Sequence, residues 1–364
     1  MGVSPVTSLK TEILLGAAVS LASVSACALE AISIGEMSLT PTVEVGAGVF
    51  SHRNQAFGGE QSTLGFPVDR NAERMEGYAK YGAELAFPVN QTFTLSGKAT
   101  AISSLSRGDT DGAGITRNDP EYTDWEAAYL KLNAKELGWF DQLSMSYGRQ
   151  NFIVGYGFLL ADGHPEQGHE GGYWFGVRKA YDKAMVLSAD HGQFHFDAFS
   201  LRTRTDVDFL NYKERVELNG GNLQYNLSNG GQLGYMHMQL SDNASELRDG
   251  MQVDDVRIIG LPVPGLSNLK LSAEYVWQKN DDLRARGWYA GASYTFAESP
   301  WQPTLAYKYS EFSRGYDPLF YGSSGGWGTW VQGEVVGEYM LFNNNQKTSQ
   351  LKLTLSPIST VSTG

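Results

Sequence analysis

The stretch Leu269-Lys270-Leu271-Ser272-Ala273-Glu274-Tyr275-Val276-Trp277-Gln278-Lys279 decides the fold. Leu269, Leu271, Ala273, Tyr275 and Trp277 fall on one face and Lys270, Ser272, Glu274 and Gln278 on the other. Only an extended strand sorts residues with a period of two, whereas a helix sorts them every three to four. The same alternation recurs from Arg74 to Phe87. There Met75, Ala79, Tyr81, Ala83, Leu85 and Phe87 oppose Arg74, Glu76, Tyr78, Lys80 and Glu84. Leu351, Leu353 and Leu355 alternate with Gln350, Lys352 and Thr354, and Trp288, Ala290, Ala292, Tyr294 and Phe296 face away from Tyr289, Ser293 and Thr295. The polar face carries charge along its whole length, which suits either a soluble sandwich or a membrane barrel with a wet lumen.

Connection lengths separate the two. Short turns fall near residues 88–91, 191–192, 228–231, 264–268, 299–300 and 343–345. They alternate with longer Gly/Asp/Asn-rich loops near 52–73, 108–120, 153–177, 205–215, 242–250 and 314–329. Bacterial outer-membrane barrels have short periplasmic turns and long extracellular loops. Tyr275, Trp277, Trp288, Phe296, Tyr307, Tyr309 and Trp330 lie near strand ends, as interfacial girdles require. The expected fold is therefore all-β, a transmembrane antiparallel barrel. Its strands are predicted at 40–51, 74–87, 92–105, 121–134, 142–152, 179–190, 193–204, 216–227, 231–241, 252–262, 269–279, 285–297, 302–313, 331–342 and 348–357. An odd count does not suit a single-chain bacterial barrel. We therefore expect a chain that lacks its closing C-terminal strands, a miscount being the alternative.

Composition agrees. The chain has 364 residues with 42 Gly, 19 Tyr, 17 Phe, 8 Trp and a single Cys. Mean hydropathy is −0.30, and no window offers the ~18 uninterrupted apolar residues of a spanning helix. A net charge of −12 argues against nucleic acid, which selects basic surfaces. The acids gather in the loops (Asp109, Asp111, Asp119, Glu121; Asp242, Glu246, Asp249, Asp254, Asp255), as solvated segments or as divalent-cation contacts at a lipopolysaccharide surface. Residues 1–28 read as an export signal: Lys10, an apolar run from Ile13 to Ala26, then Ala26-Cys27-Ala28 as an A-x-A cleavage site before Leu29. The alternative makes Cys27 a lipidated N-terminus. Residues 29–364 form the barrel.

Three stretches carry a family likeness: Glu126-Ala127-Ala128-Tyr129-Leu130-Lys131-Leu132; Tyr147-Gly148-Arg149-Gln150 with Arg178-Lys179-Ala180-Tyr181-Asp182; and Asp317-Pro318-Leu319-Phe320-Tyr321-Gly322 leading to Trp330-Val331-Gln332-Gly333-Glu334 and Gly337-Glu338-Tyr339. In these the chain resembles the alginate-export family of outer-membrane proteins. The resemblance implies a monomeric barrel of about 18 strands. It also implies passage of a polyanionic uronate polysaccharide through a basic lumen, with periplasmic export components as partners.

A passive channel needs water, a constriction and fixed charge of the right sign, not a nucleophile or a cofactor. Parity turns Lys80, Lys98, Lys270, Lys308 and Lys352 inward as candidate anion contacts, and the resemblance adds Arg149 and Lys179. Lysine predominates, although arginine's planar fork matches a carboxylate better. Glu76, Glu84, Glu274, Glu334 and Glu338 also point inward, as neutralising partners in cross-strand ladders. Counting from Leu143, Met145 and Tyr147, Arg149 falls on the lipid face; a bulge at Gly148 turns it inward, or it lies at headgroup level. Asp162, His164, His169 and Glu170 lack helical metal-ligand spacing and read as a solvated loop. His195, His237 and Ser200 fall on separate strands with no nucleophile-elbow motif, so no catalytic or metal site is expected. Two functions remain open: export of an anionic polysaccharide or related acidic solute, and uptake of small organic acids, aromatics or sugars.

Overall fold

The computed structural model describes residues 25–322 and 343–363, apart from 29, 63–64, 113, 165–167, 208–211 and 359–360. Among the described residues, seventeen strands form one sheet. Two short strands, β1 (Ser25–Ala28) and β2 (Ile32–Ile34), both pair with β3 (Met37–Arg53). There follow β4 (Asn71–Pro88), β5 (Phe93–Gly108), β6 (Glu121–Leu137), β7 (Phe140–Gln150), β8 (Tyr181–His191), β9 (Phe194–Val207) and β10 (Tyr212–Asn226). The wall continues with β11 (Gln232–Asp242), β12 (Gln252–Val263), β13 (Leu266–Lys279), β14 (Arg284–Thr295), β15 (Thr304–Phe312), β16 (Gln346–Ile358) and β17 (Val361–Thr363). Each strand from β3 onward pairs antiparallel with the next in sequence. The predicted strand at 331–342 lies outside the described residues, and the other predicted strands coincide with β3–β16 to within a few residues at their ends.

Register carries the membrane argument across the wall. Leu269, Tyr294, Leu305 and Leu353 form one transverse row, and Leu271, Ala292, Tyr307 and Leu351 the next. Leu351 is 71% and Leu353 52% exposed. Rows of leucine and tyrosine that run over several strands make an apolar patch that water-soluble proteins avoid, and hydrocarbon is their natural solvent. The rows between them point the other way: Lys270–Ser293–Ala306–Lys352, and Ser272–Gly291–Lys308–Gln350. The sheet is thus a transmembrane β-barrel with lipid outside and a polar lumen within. Its short connections, such as 138–139, 192–193 and 264–265, share one end, and the strand ends from which the connections after β3, β5, β7 and β15 leave share the other. The second end is extracellular by the usual asymmetry.

The inner face is not polar throughout, contrary to expectation. On β8–β11 the inward rows read Ala184–Leu201–Leu218–Leu240 and Val186–Phe199–Gly220–Met238. The connection between β7 and β8 enters the barrel and packs Val154, Phe158, Leu159 and Leu160 against them. The connection after β15 adds Tyr316, Leu319 and Phe320. Phe158 meets Tyr289 of β14 edge-on at 5.2 Å, Phe312 of β15 at 5.9 Å and Tyr316 at 6.4 Å. The two connections also zip together. Leu160 and Phe320 form a parallel bridge, the Ala161 N–H donates to the Phe320 carbonyl at 2.8 Å, and the Phe320 N–H donates to that of Leu159 at 3.0 Å. Further along, a 3-10 turn at Tyr173–Phe175 presses Trp174 on Phe50 (6.0 Å) and Phe175 on Tyr78 (5.4 Å). An internal apolar core therefore fills the extracellular half of the lumen along β8–β15.

Candidate functional site

Beside this plug a cavity of about 430 Å³ stays open along β3–β7, lined by Thr42, Glu44, Lys80, Lys98, Glu126 and Tyr129 among others. Register builds it: Glu44 faces Lys80 across β3–β4, Glu84 faces Lys98 across β4–β5, and Lys98 faces Tyr129 across β5–β6. The Lys80 ammonium lies 4.0 Å from Glu44, and Lys98 donates to Glu84 at 2.8 Å. The Tyr78 hydroxyl donates to Glu44 at 2.8 Å, and the backbone N–H of Lys179 donates to Glu126 at 2.9 Å. This wall alternates sign and has little net field. Glu44 is not singled out in the sequence, although Thr42 and Glu44 share the polar parity of their strand, and Glu126 and Tyr129 stand there only in the family-like stretch 126–132 and not as lumen contacts.

The wall formed by β13–β16 differs. Lys270, Lys308 and Lys352 lie on two adjacent inner rows that contain no acidic residue. Lys308 sits 5.8 Å over the Tyr289 ring, a cation–π contact. Glu274, one row higher, is 3% exposed and belongs to a buried group with Asp255 and Arg257, where Arg257 bonds Asp255 at 2.9 Å. Glu76 is likewise removed: fully buried, it pairs with Arg74 at 2.9 Å, accepts from Ser106 at 3.2 Å and holds the Trp174 N–H at 2.8 Å. The inserted turn that covers Glu76 is invisible to strand parity. Glu334 and Glu338 lie outside the described residues.

Arg149 does not join the lysine cavity. Gly148 adopts φ +136, and the β7–β8 register shifts between Gly148 and Gln150. A Cβ on Gly148 would lie 2.2 Å from the Ala128 carbonyl, so only glycine fits this bulge. Arg149 then sits between Asp124 (3.9 Å) and Asp182 (3.7 Å) in a separate cleft of about 260 Å³, with Arg204 and Lys213. Lys179 precedes β8 beside the plug.

The segment expected to be a solvated loop is instead folded inside. Glu170 accepts from His164 at 2.9 Å and is ion-paired with Arg178, its Nε 2.9 Å away, and Arg178 also donates to Ser104 at 2.8 Å. Burial alone would raise the Glu170 carboxyl, but the His164 hydrogen bond and the charges of His164, Arg178 and His169 hold it below its ordinary value. Burial pushes Asp162 up to about 7 against the His164 backbone N–H and the charges of His164 and Lys179. These groups anchor the plug. No group of three or more His, Cys, Asp or Glu side chains suited to a metal occurs among the described residues. His195 points inward between Asp190 (2.7 Å) and Asp197 (3.0 Å), whereas His237 shares the outward row of Ala198 and Gly221 and bonds Asp254 at 2.8 Å. They do not converge on Ser200, which lies on an outward row.

Comparison with known proteins follows the same line. The family model described as "Alginate export" matches residues 79–327. No curated protein matches by sequence. Solved structures with a similar course include OpdL of Pseudomonas aeruginosa, at 12% identity and TM-score 0.39, covering 79% of this chain and 85% of that one. A BenF-like porin of Pseudomonas fluorescens has 10% identity and TM-score 0.39, with 79% and 85% coverage. OccK8 (OprE) of Pseudomonas aeruginosa has 12% identity and TM-score 0.38, with 77% and 85% coverage. Amphipathic rows, asymmetric connections and a matched stretch of well over half its length lead to one conclusion: this chain belongs to the alginate export family and forms a channel in the bacterial outer membrane.

Proposed function

We propose that the channel passes an anionic saccharide, a polyuronate or a related acidic solute, by diffusion past the lysines of β13–β16. The observation that carries this reading is the pair of adjacent inner rows that bring Lys270, Lys308 and Lys352 together. Fixed cations in a confined aqueous path lower the barrier to an anion and raise it for a cation. Lys80 and Lys98, matched by Glu44 and Glu84, grip and release a solute's polar groups without adding net field. Removal of residues 1–28 on export and operation as a monomer beside lipopolysaccharide belong to the same proposal.

A second reading, uptake of small acidic solutes, is favoured by the plug, because a cavity of about 430 Å³ holds a few sugar rings and not a loose polymer coil. The test is reversal potential and conductance of the refolded protein in a planar bilayer across a KCl gradient, with oligouronates added. Anion selectivity that inverts in Lys270→Glu/Lys308→Glu/Lys352→Glu supports the proposal. A cation-selective or uronate-blind pore sinks the polyuronate assignment. Block by single uronate units as strong as by longer oligomers selects uptake.

A further inference from the structure

The cavity on the β3–β7 wall has a shape and a chemistry that an anion path does not require. Its floor is one inner row, Thr42–Gly82–Thr100–Ala127, in which every side chain is small or absent. On the extracellular side stands the row of Glu44 and Lys80, and on the periplasmic side that of Glu84, Lys98 and Tyr129. Glu126 enters this trough through an irregularity in the ladder. Thr100 pairs with Ala127 and Ala101 with Trp125, so Glu126 is the extra residue of a β-bulge. The bulge turns two consecutive residues, Glu126 and Ala127, inward. Both are buried, while Trp125 and Ala128 on either side are exposed.

The carboxylate so placed is only half satisfied. Glu126 is 5% exposed, and one of its oxygens accepts from the Lys179 N–H at 2.9 Å. Its Oε2, and the Oγ1 of Thr42 on the floor, are buried with no hydrogen-bond partner among the described residues. Both side chains line the cavity of about 430 Å³. A buried acceptor without a donor is costly, and a donor brought by a ligand relieves it. The cations here are already matched, Lys80 with Glu44 at 4.0 Å and Lys98 with Glu84 at 2.8 Å. The trough therefore has no spare positive charge for a carboxylate ligand, and Glu126 repels one. A hydroxyl suits these atoms, since it donates to Glu126 and accepts from Thr42 or a lysine. Several hydroxyls on a flat frame make a pyranose, whose ring fits the small-residue floor with one face against the half-buried Tyr129 ring. We infer that this trough is a binding subsite for an uncharged sugar ring, held through its hydroxyls by Glu126 and Thr42. It lies on strands other than those of Lys270, Lys308 and Lys352 and does not depend on their selecting anions.

Single channels of the full chain in a planar bilayer are titrated with the neutral methyl glycosides of glucose, mannose and galactose, and with glucosamine as a cationic counterpart. Wild type is expected to show saturable block of the ion current by at least one glycoside, at roughly millimolar concentration. Glu126→Gln keeps an acceptor for the Lys179 N–H but puts an amide donor in place of Oε2, and should weaken the block about tenfold. Thr42→Val, of equal shape, should weaken it about two- to fivefold. Lys135→Gln, an exposed position outside the trough, should leave it unchanged. Folding of each variant is checked by heat-modifiable gel migration, and should Glu126→Gln not fold, Thr42→Val decides. Absence of block by all three glycosides, block in the folded variants equal to wild type, or tighter binding of glucosamine overturns the inference. Reversal potential across a KCl gradient is read on the same channels. A pore without anion preference that the neutral glycosides still block sinks the acidic-solute reading and supports this one.

Discussion

Phe158 is the keystone of the lumen plug, and its truncation gives a quantitative test. The side chain is 3% exposed and packs on Tyr289, Phe312 and Tyr316 with ring centroids 5.2–6.4 Å away. A buried Phe→Ala change costs about 3–5 kcal/mol through lost transfer energy and the cavity left behind. The wall is held by its own backbone ladders, so this loss falls on docking of the loop rather than on the barrel. At ~1.4 kcal/mol per factor of ten, a loss of ~3 kcal/mol shifts the docked-to-undocked ratio roughly 150-fold. In a planar bilayer Phe158→Ala should show a larger conductance and a longer open fraction than wild type. Phe158→Leu, which retains most of the volume, should stay close to wild type. A correctly folded Phe158→Ala channel with wild-type conductance and open fraction refutes the view that this core limits the lumen.

Three further outcomes are expected. The Asp162 carboxyl, pushed up to about 7 by burial, binds its proton more tightly folded than unfolded, where the value is near 3.8. Its contribution is complete below about pH 3.8, falls by ~1.4 kcal/mol per unit as pH rises, and is gone above about 7. Proteolysis within residues 151–180 should therefore be faster at pH 8 than at pH 5, with Asp162→Asn reducing the difference. Gly148→Val puts a Cβ 2.2 Å from the Ala128 carbonyl at φ +136 and should block β6–β7 pairing, seen as failure to reach the heat-resistant folded band. Arg178→Met leaves Glu170 buried without its guanidinium partner and should cost about 3–5 kcal/mol, read as accelerated cleavage of the same connection.

Strand parity in the sequence located the wall. Leu269–Lys279 and Arg74–Phe87 sort as their alternation demands, because lipid on one side and a lumen on the other select residues two at a time. The interior was not legible in the same way. Val186, Leu201, Leu218 and Met238 sit on strands whose inner neighbour is a connection from elsewhere in the chain, and alternation says nothing about what fills a barrel. The polar character of Asp162-Gly163-His164 and His169-Glu170 suggested solvent, but their charges are paired inside with Arg178 and with one another. Glu76 was legible as inward yet not as covered, since its partner Trp174 approaches from a separate connection. Gly148 carried a local signal for the bulge, and the bulge puts Arg149 beside Asp124 and Asp182.

The bridge between Leu160 and Phe320 also sets an order of events in biogenesis. Among the described residues every wall ladder from β3 to β16 joins strands that neighbour each other in sequence, so the wall can form hairpin by hairpin. The plug cannot. Phe158, Leu159 and Leu160 are made long before Tyr289, Phe312 and Phe320, and they remain uncovered until those residues are in place. Maturation thus separates into a fast stage that acquires the strands and a slower one that dries the interior. The second stage changes hydration, aromatic packing and ion flow while strand content stays constant. Until those two distant connections meet, the apolar side chains of the plug have no cover and the space they fill stays open to water.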